Sequence, residues 1–329
     1  MTKRAAMRLA TPDDLPRLRD LARDALLHDP DAATIVDLLW NGAADGCRIV
    51  AEAGDGADRR SGSDGSDHTA DTAKPDHSPI LGFALGSLRP ARGDQPATGH
   101  IDLLVVPATH RGHGIGRALL ADLERRLVAA SAARLRIRGN PPNYAWPGID
   151  IRYTPAACLA ASAGYERLLD ANNMLVDLAG AHRNGLLATD ADVSRLAALG
   201  VEVRRAEPKD EEGLCAWVEA TFGGSWAKEC AMAVRNERPS LHVAVRDGAF
   251  LGFAAHGAQR AHVFGPMGTD AAARGLGIGA VLLRRCLTDQ HDAGVAVAEI
   301  GWVGPVRFYA RAVGARLGRV FWTFEKAVA

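Results

Sequence analysis

The chain has 329 residues, enough for two domains of ordinary size that each bury a core. Its 39 basic and 39 acidic residues cancel, which excludes a general nucleic-acid or anionic-membrane binder and leaves small or locally recognised partners. Five cysteines without C-x-x-C spacing argue against a disulfide framework or a zinc site, and no apolar stretch approaches the about 18 residues of a membrane span or forms a leader core in MTKRAAMRLATPDD, so a reduced cytoplasmic protein without a metal is expected.

Residues 7–10 read as a short strand, and Thr11-Pro12-Asp13-Asp14 as a helix start with Thr11 at the cap and Pro12 at the first helical position. Leu15, Leu18, Leu21, Ala22 and Ala25 then recur at helical spacing. Residues 47–53 alternate like a strand, and residues 80–88 resemble its hairpin partner. Segment 54–79 between them is almost free of apolar residues and is expected to be a disordered loop, with His68 and His77 solvated rather than metal-bound. A strand at 100–106 leads into Arg111-Gly112-His113-Gly114-Ile115-Gly116 and a helix at 117–127. After a strand at 134–138, residues 139–150 are rich in proline and aromatics; such a loop is shaped, either as a pocket wall or as a rigid packing element. A short helix at 155–163 and a closing strand at 174–178 follow.

Residues 182–200 read as a connector with a helix near 190–199, after which the order restarts. A strand at 201–206 precedes Glu207-Pro208-Lys209-Asp210, which mirrors Thr11-Pro12-Asp13-Asp14, and strands at 241–245 and 249–256 form a hairpin across Arg246-Asp247-Gly248. Leu81-Gly82-Phe83-Ala84 returns as Leu251-Gly252-Phe253-Ala254, and the glycine-rich turn returns as Arg274-Gly275-Leu276-Gly277-Ile278-Gly279. Two matches in the same order indicate a duplicated α+β domain, 1–188 and 189–329.

Each glycine-rich turn runs into a helix, an arrangement suited to holding an anion on free backbone N–H groups at the positive end of the helix dipole. Neither turn continues into the Gly-Lys-Ser/Thr of a phosphoryl-transfer loop, since Gly116 precedes Arg117 and Gly279 precedes Ala280. A dinucleotide fold would place its turn close to the first strand, whereas here several strands come before. The two Arg-x-x-Gly-x-Gly-type turns, with Val105-Val106-Pro107 upstream and leucine-rich helices downstream, resemble the GNAT superfamily of acyl-CoA N-acyltransferases.

The resemblance implies two tandem GNAT-like domains, each a mixed, mostly antiparallel central sheet flanked by helices, with acetyl-CoA as the cosubstrate. It implies that the turn amides of Arg274, Gly275, Leu276, Gly277, Ile278 and Gly279, and of Arg111, Gly112, His113, Gly114, Ile115 and Gly116, hold the coenzyme A pyrophosphate. The strands before them, Met267-Gly268-Thr269 and Leu104-Val105-Val106, would pair with the pantetheine arm, and Gly265-Pro266 fits a bulge in the former because proline cannot donate to a ladder. In the family the acid is often a tyrosine of a Phe-Tyr-x-x-x-Gly helix; Phe308-Tyr309, followed by Gly314, is one residue longer and makes Tyr309 the expected general acid. The matching helix of the first half has Ala160 there, with Tyr144 or Tyr153 as substitutes, and His100 and Asp102 in places comparable to the second half's bases serve binding or pocket formation.

A carboxylate in an apolar strand, Glu299 in residues 295–300, is the expected general base, with His262 as its competitor. The expected acceptor is the primary amine of an amino sugar, by resemblance to glucosamine and glucosaminide N-acetyltransferases. A mycothiol-synthase-like or aminoglycoside-type enzyme and a non-catalytic acyl-CoA sensor are the alternatives, the last disfavoured by Tyr309 and Glu299. A monomer or homodimer acting on a small molecule, with neither nucleic acid nor membrane as partner, completes the expectation.

Overall fold

The structure, a computed structural model, describes residues 5–42, 46–53 and 78–328. Of the loop expected at 54–79, all but the last two residues lie outside the described residues. Two compact units are present: Met1–Arg136 with Ser162–Gly164 and Lys326–Ala329, and Ile137–Ala161 with Tyr165–Glu325.

The first unit contains β1 (Ala6–Leu9), α1 (Leu15–Ala25), α2 (Ala32–Gly42), β2 (Cys47–Glu52), β3 (Ile80–Arg89), β4 (Thr98–Val105), α3 (Ile115–Ala129) and β5 (Arg134–Ile137). They form a sheet in the order β1-β2-β3-β4-β5, antiparallel except for the parallel β4–β5 pair. The helix start forms as its residues predict: the Thr11 N–H donates to Asp14 Oδ2 at 2.7 Å, and Pro12 opens the turn. Arg8 ties this cap to the sheet, with a nitrogen 2.7 Å from Asp14 Oδ2 and another 2.7 Å from Glu52 Oε1. Leu18, Leu21, Ala22 and Ala25 are buried as the spacing predicts, and α3 buries Leu119, Leu120, Leu123 and Leu127.

The second unit contains β6 (Ile149–Asp150), α4 (Thr154–Ser162), β7 (Glu166–Asp177), α5 (Leu178–Arg183), α6 (Asp190–Ala197), β8 (Glu202–Arg205), α7 (Glu211–Phe222), α8 (Gly224–Val234), β9 (Leu241–Arg246), β10 (Ala249–His256), β11 (Val263–Thr269), α9 (Ile278–Asp292), β12 (Val297–Ile300), α10 (Val306–Val313) and β13 (Arg316–Ala327). Its sheet runs β8-β9-β10-β11-β12-β7-β13, with β6 on β13 and only β11–β12 parallel. The cap of the first unit recurs: Glu207 N–H donates to Asp210 Oδ2 at 2.8 Å, and Arg204 Nη1 lies 2.6 Å from the same oxygen. One face of the sheet is covered by α9, which packs Val281, Leu282, Leu283 and Leu287 into a core with Phe264, Ile300 and Tyr309. Leu214 and Val218 of α7 and Cys230, Ala233 and Val234 of α8 cluster with Phe253 and Ala255.

The strand expected at 174–178 is longer, and its partners are β12 and β13: Leu175 pairs with Glu299, and Ala171 with Phe321. The last strand of the first repeat therefore belongs to the sheet of the second unit, and the repeat boundary between 188 and 189 falls inside that unit. Among the described residues no helix is long and apolar enough to cross a membrane.

Candidate active site

Strands β11 and β12 share two pairs, Val263 with Glu299 and Phe264 with Ile300, after which β11 continues to Thr269 without β12. Against β10, the register shifts between Ala254–Met267 and His256–Phe264, which places Gly265-Pro266 in a bulge. Splay and bulge together leave the β12-facing edge of Pro266–Thr269 open. A Cβ on Gly268 would stand 2.7 Å from the Phe222 ring, so only glycine lets the end of α7 lie on the strand.

After Thr269 the chain makes a short turn, with Asp270 Oδ1 accepting the Ala272 N–H at 2.8 Å, and enters Arg274–Gly279. Gly275 (φ 85°) and Gly277 (φ 84°) are left-handed, a conformation that costs other residues about 1–2 kcal/mol. With α9 beginning at Ile278, the unsatisfied N–H groups of its first turn and the positive end of its dipole converge on this loop. Arg195 of α6 stands beside it: Nη2 donates to the Leu276 carbonyl at 2.9 Å and would lie 2.8 Å from a Cβ on Gly277. The first unit repeats the geometry, with Gly112 (φ 81°) and Gly114 (φ 80°) before α3 and Arg111 Nε donating to Val106 O at 2.9 Å.

A cavity of about 1100 Å³ in the second unit follows β11 and passes the glycine turn. Among the residues expected from sequence it is lined by Met267, Gly268, Thr269, Arg274, Gly275, Gly277, Ile278, Gly279 and Tyr309. Tyr309 is 7% exposed, with ring centroids 5.0 Å from Phe308 and 6.3 Å from Phe264. Burial pushes its phenol up to about 12, so it carries its proton at neutral pH. The proline-rich loop supplies a wall through Pro141 and Tyr144. Arg260 Nη1 donates to Ala145 O at 3.1 Å and Gln259 Nε2 donates to Pro142 O, which fastens the loop to the β10–β11 connection. Trp302 completes this wall, edge-on to Tyr144 at 5.7 Å and covered by the Arg138 guanidinium at 4.8 Å.

Glu299 and His262 are not among the lining residues. The Glu299 side chain is buried behind the wall, where Asn173 Nδ2 donates to Oε1 and Arg319 Nη1 lies 3.5 Å from Oε2. His262 Nε2 is 3.9 Å from Oε2. Asn173 Oδ1 accepts the Trp302 N–H at 2.7 Å, and Trp302 has the left-handed φ of 50°. Glu299, the expected general base, thus faces an arginine and an amide that fixes Trp302.

The carboxylate that does line the cavity is Glu229 of α8, a residue the sequence reading passed over. It is 5% exposed, has no hydrogen-bond donor or cation as partner among the described residues, and burial pushes it up to about 8. The signal available was its spacing: Glu229 lies three residues after Trp226 and four before the buried Ala233, on the apolar side of a short helix. In the first unit, burial pushes Asp102 up to about 7 beside Ser87, and His100 is buried two residues earlier on the same strand. Ala160 is buried in α4.

Splayed parallel strands over a glycine turn that opens a helix, in a mixed sheet covered by helices, constitute the GNAT fold. The profile of the acetyltransferase (GNAT) family matches residues 52–145. The chain is similar in structure to the glucosamine N-acetyltransferase region of a fungal multi-domain β-N-acetylglucosaminidase, with a TM-score of 0.76, 17% identity and 98% of this chain covered; it spans 38% of that longer protein. A GCN5-related N-acetyltransferase from Sphaerobacter thermophilus gives a TM-score of 0.64 at 18% identity, covering 98% of this chain and 95% of the other. A tandem GNAT protein from the clavulanic acid biosynthesis pathway gives 0.63 at 18% identity, with 98% of both chains covered. Among curated proteins none matches the chain by sequence. At these identities the likeness is one of fold.

Proposed function

We propose that the protein is an acetyl-CoA-dependent N-acetyltransferase whose chemistry lies in the second unit and whose acceptor is the primary amine of an amino sugar. The observation that carries this reading is one cavity lined by both the glycine turn at the start of α9 and the protonated Tyr309. Acetyl-CoA supplies a thioester to such a site. The amides of Arg274–Gly279 bind its pyrophosphate, and the open edge at Met267–Thr269 offers backbone donors and acceptors to the pantetheine arm. A Cβ on Gly279 would stand 3.3 Å from Thr269 Oγ1 and 3.4 Å from Met267 Cε, so turn and strand lie close together here. Tyr309 protonates the departing sulfur.

Glu299 acts through Asn173 on Trp302 rather than on the substrate, and His262 supports it from the start of β11. Tyr144, Trp226 and Trp302 give the acceptor end aromatic faces of the kind that stack on sugar rings, which favours the amino-sugar reading. The named glucosamine activity of the fungal neighbour agrees with it. In the first unit, Leu104, Val105, Val106 and the turn Arg111–Gly116 form a second coenzyme A site; in the sequence repeat, Ala160 stands where Tyr309 stands in the second copy.

The test is thiol release from acetyl-CoA with glucosamine, a chitosan oligomer, a cysteinyl amino sugar and a lysine peptide. Selective turnover of glucosamine or its oligomer is expected. Preference for the cysteinyl sugar or the peptide would overturn the acceptor assignment, and no turnover with any amine would overturn the enzymatic one.

A further inference from the structure

The cavity contains one feature that coenzyme A does not explain. Glu229 enters it from α8, 5% exposed, and among the described residues nothing donates a hydrogen bond or a positive charge to it. An ion left in that state is costly, a penalty relieved when a cation fills the space beside it. Around it stand aromatic surfaces: Trp226 lies one turn earlier on the same helix and stacks on Phe222 at 5.6 Å, and Tyr144 and Trp302 form the facing wall. Aromatic faces with a buried carboxylate favour a primary ammonium attached to a carbon skeleton, because the rings attract the cation and the carboxylate neutralises it.

We infer that Glu229 is the subsite that receives the ammonium group of the acceptor and takes its proton. The inference rests on the acetyltransferase reading and adds to it the residue that selects a charged amine and makes it nucleophilic. One N–H proton passes from the ammonium to Glu229. The freed nitrogen forms the C–N bond to the acetyl carbon, and the C–S bond breaks as Tyr309 gives its proton to sulfur. The nitrogen loses its second proton to solvent, from which Tyr309 is reprotonated; one amide, one thiol and one proton result. Tyr144 and Cys230 interact with the Glu229 charge, and burial pushes both up, so they are neutral where Glu229 titrates; Arg138 and Arg274 line the same cavity. Burial brings the Glu229 carboxyl to about 8, near the pH at which a base is useful.

The experiment compares the full chain with Glu229→Gln and Glu229→Asp, using acetyl-CoA and glucosamine. Glu229→Gln is expected to lower kcat/KM by about 100-fold or more and to abolish the rise of rate with pH, with acetyl-CoA affinity unchanged and partial recovery in Glu229→Asp. Turnover and a pH profile like wild type in Glu229→Gln overturn the inference while leaving the acetyltransferase reading intact. If wild type turns over no amine, that reading fails, and Glu229 is judged by calorimetric titration of glucosamine and of ethylamine into the coenzyme A-bound chain. Binding weakened about tenfold or more by Glu229→Gln supports the ammonium subsite; equal binding, or none to wild type, overturns it.

Discussion

Among single residues, the two buried glutamates Glu229 and Glu299 of the second unit differ in their surroundings. Glu299 is matched by Asn173 and Arg319, whereas among the described residues Glu229 has no ion-pair partner, and burial raises its pKa from an ordinary 4.5 to about 8. The folded chain therefore binds the Glu229 proton more tightly than the unfolded chain does, so the stability this group contributes is complete below about pH 4.5 and is lost as pH rises through about 8. Thermal unfolding across pH should show Glu229→Gln gaining on wild type over that window; a constant offset would contradict the assignment. Asn173→Ala should destabilise by about 1–3 kcal/mol in urea unfolding, because the buried Glu299 Oε1 loses its donor and the Trp302 N–H its acceptor. The sequence shows Glu299 as a carboxylate in an apolar strand, but that Arg319 reaches it from a strand beyond its neighbour is set by sheet order, which no local spacing records.

At the scale of the element, the glycine turns are the most legible part of the chain. Their left-handed residues, the helix after each and the strand before each follow from local chemistry, and the caps at Thr11 and Glu207 form as their residue types predict. Helices α7 and α8 were less legible: each is short, they are separated only by Gly223, and an isolated glutamate in GSWAKECAMAV looks like part of a solvated face. The turns also differ in a way that can be tested. Gly277→Ala meets Arg195 as well as the left-handed backbone, whereas Gly114→Ala has no atom within 4 Å. Both should cost about 1–2 kcal/mol for backbone strain. Gly277→Ala should cost more and should also weaken acetyl-CoA binding; equal losses in denaturant unfolding would show that Arg195 does not brace the turn.

For the whole molecule, the repeat is plain in sequence, but the exchange of its last strand is not. β7 lies between β12 and β13 because its long-range partners offer matching edges, and periodicity cannot identify a partner. A chain comprising 189–329 alone lacks that strand and should fail to unfold cooperatively on heating; a single sharp transition with native-like helical content would contradict the sheet order. Acetyl transfer in the second unit, as proposed, depends on Tyr309 as its acid. The most direct measurement is the rate of coenzyme A release from acetyl-CoA and glucosamine for wild type and Tyr309→Phe, with acetyl-CoA affinity determined alongside. A fall in kcat of about 100-fold or more at unchanged affinity is expected. Undiminished kcat in Tyr309→Phe would contradict it.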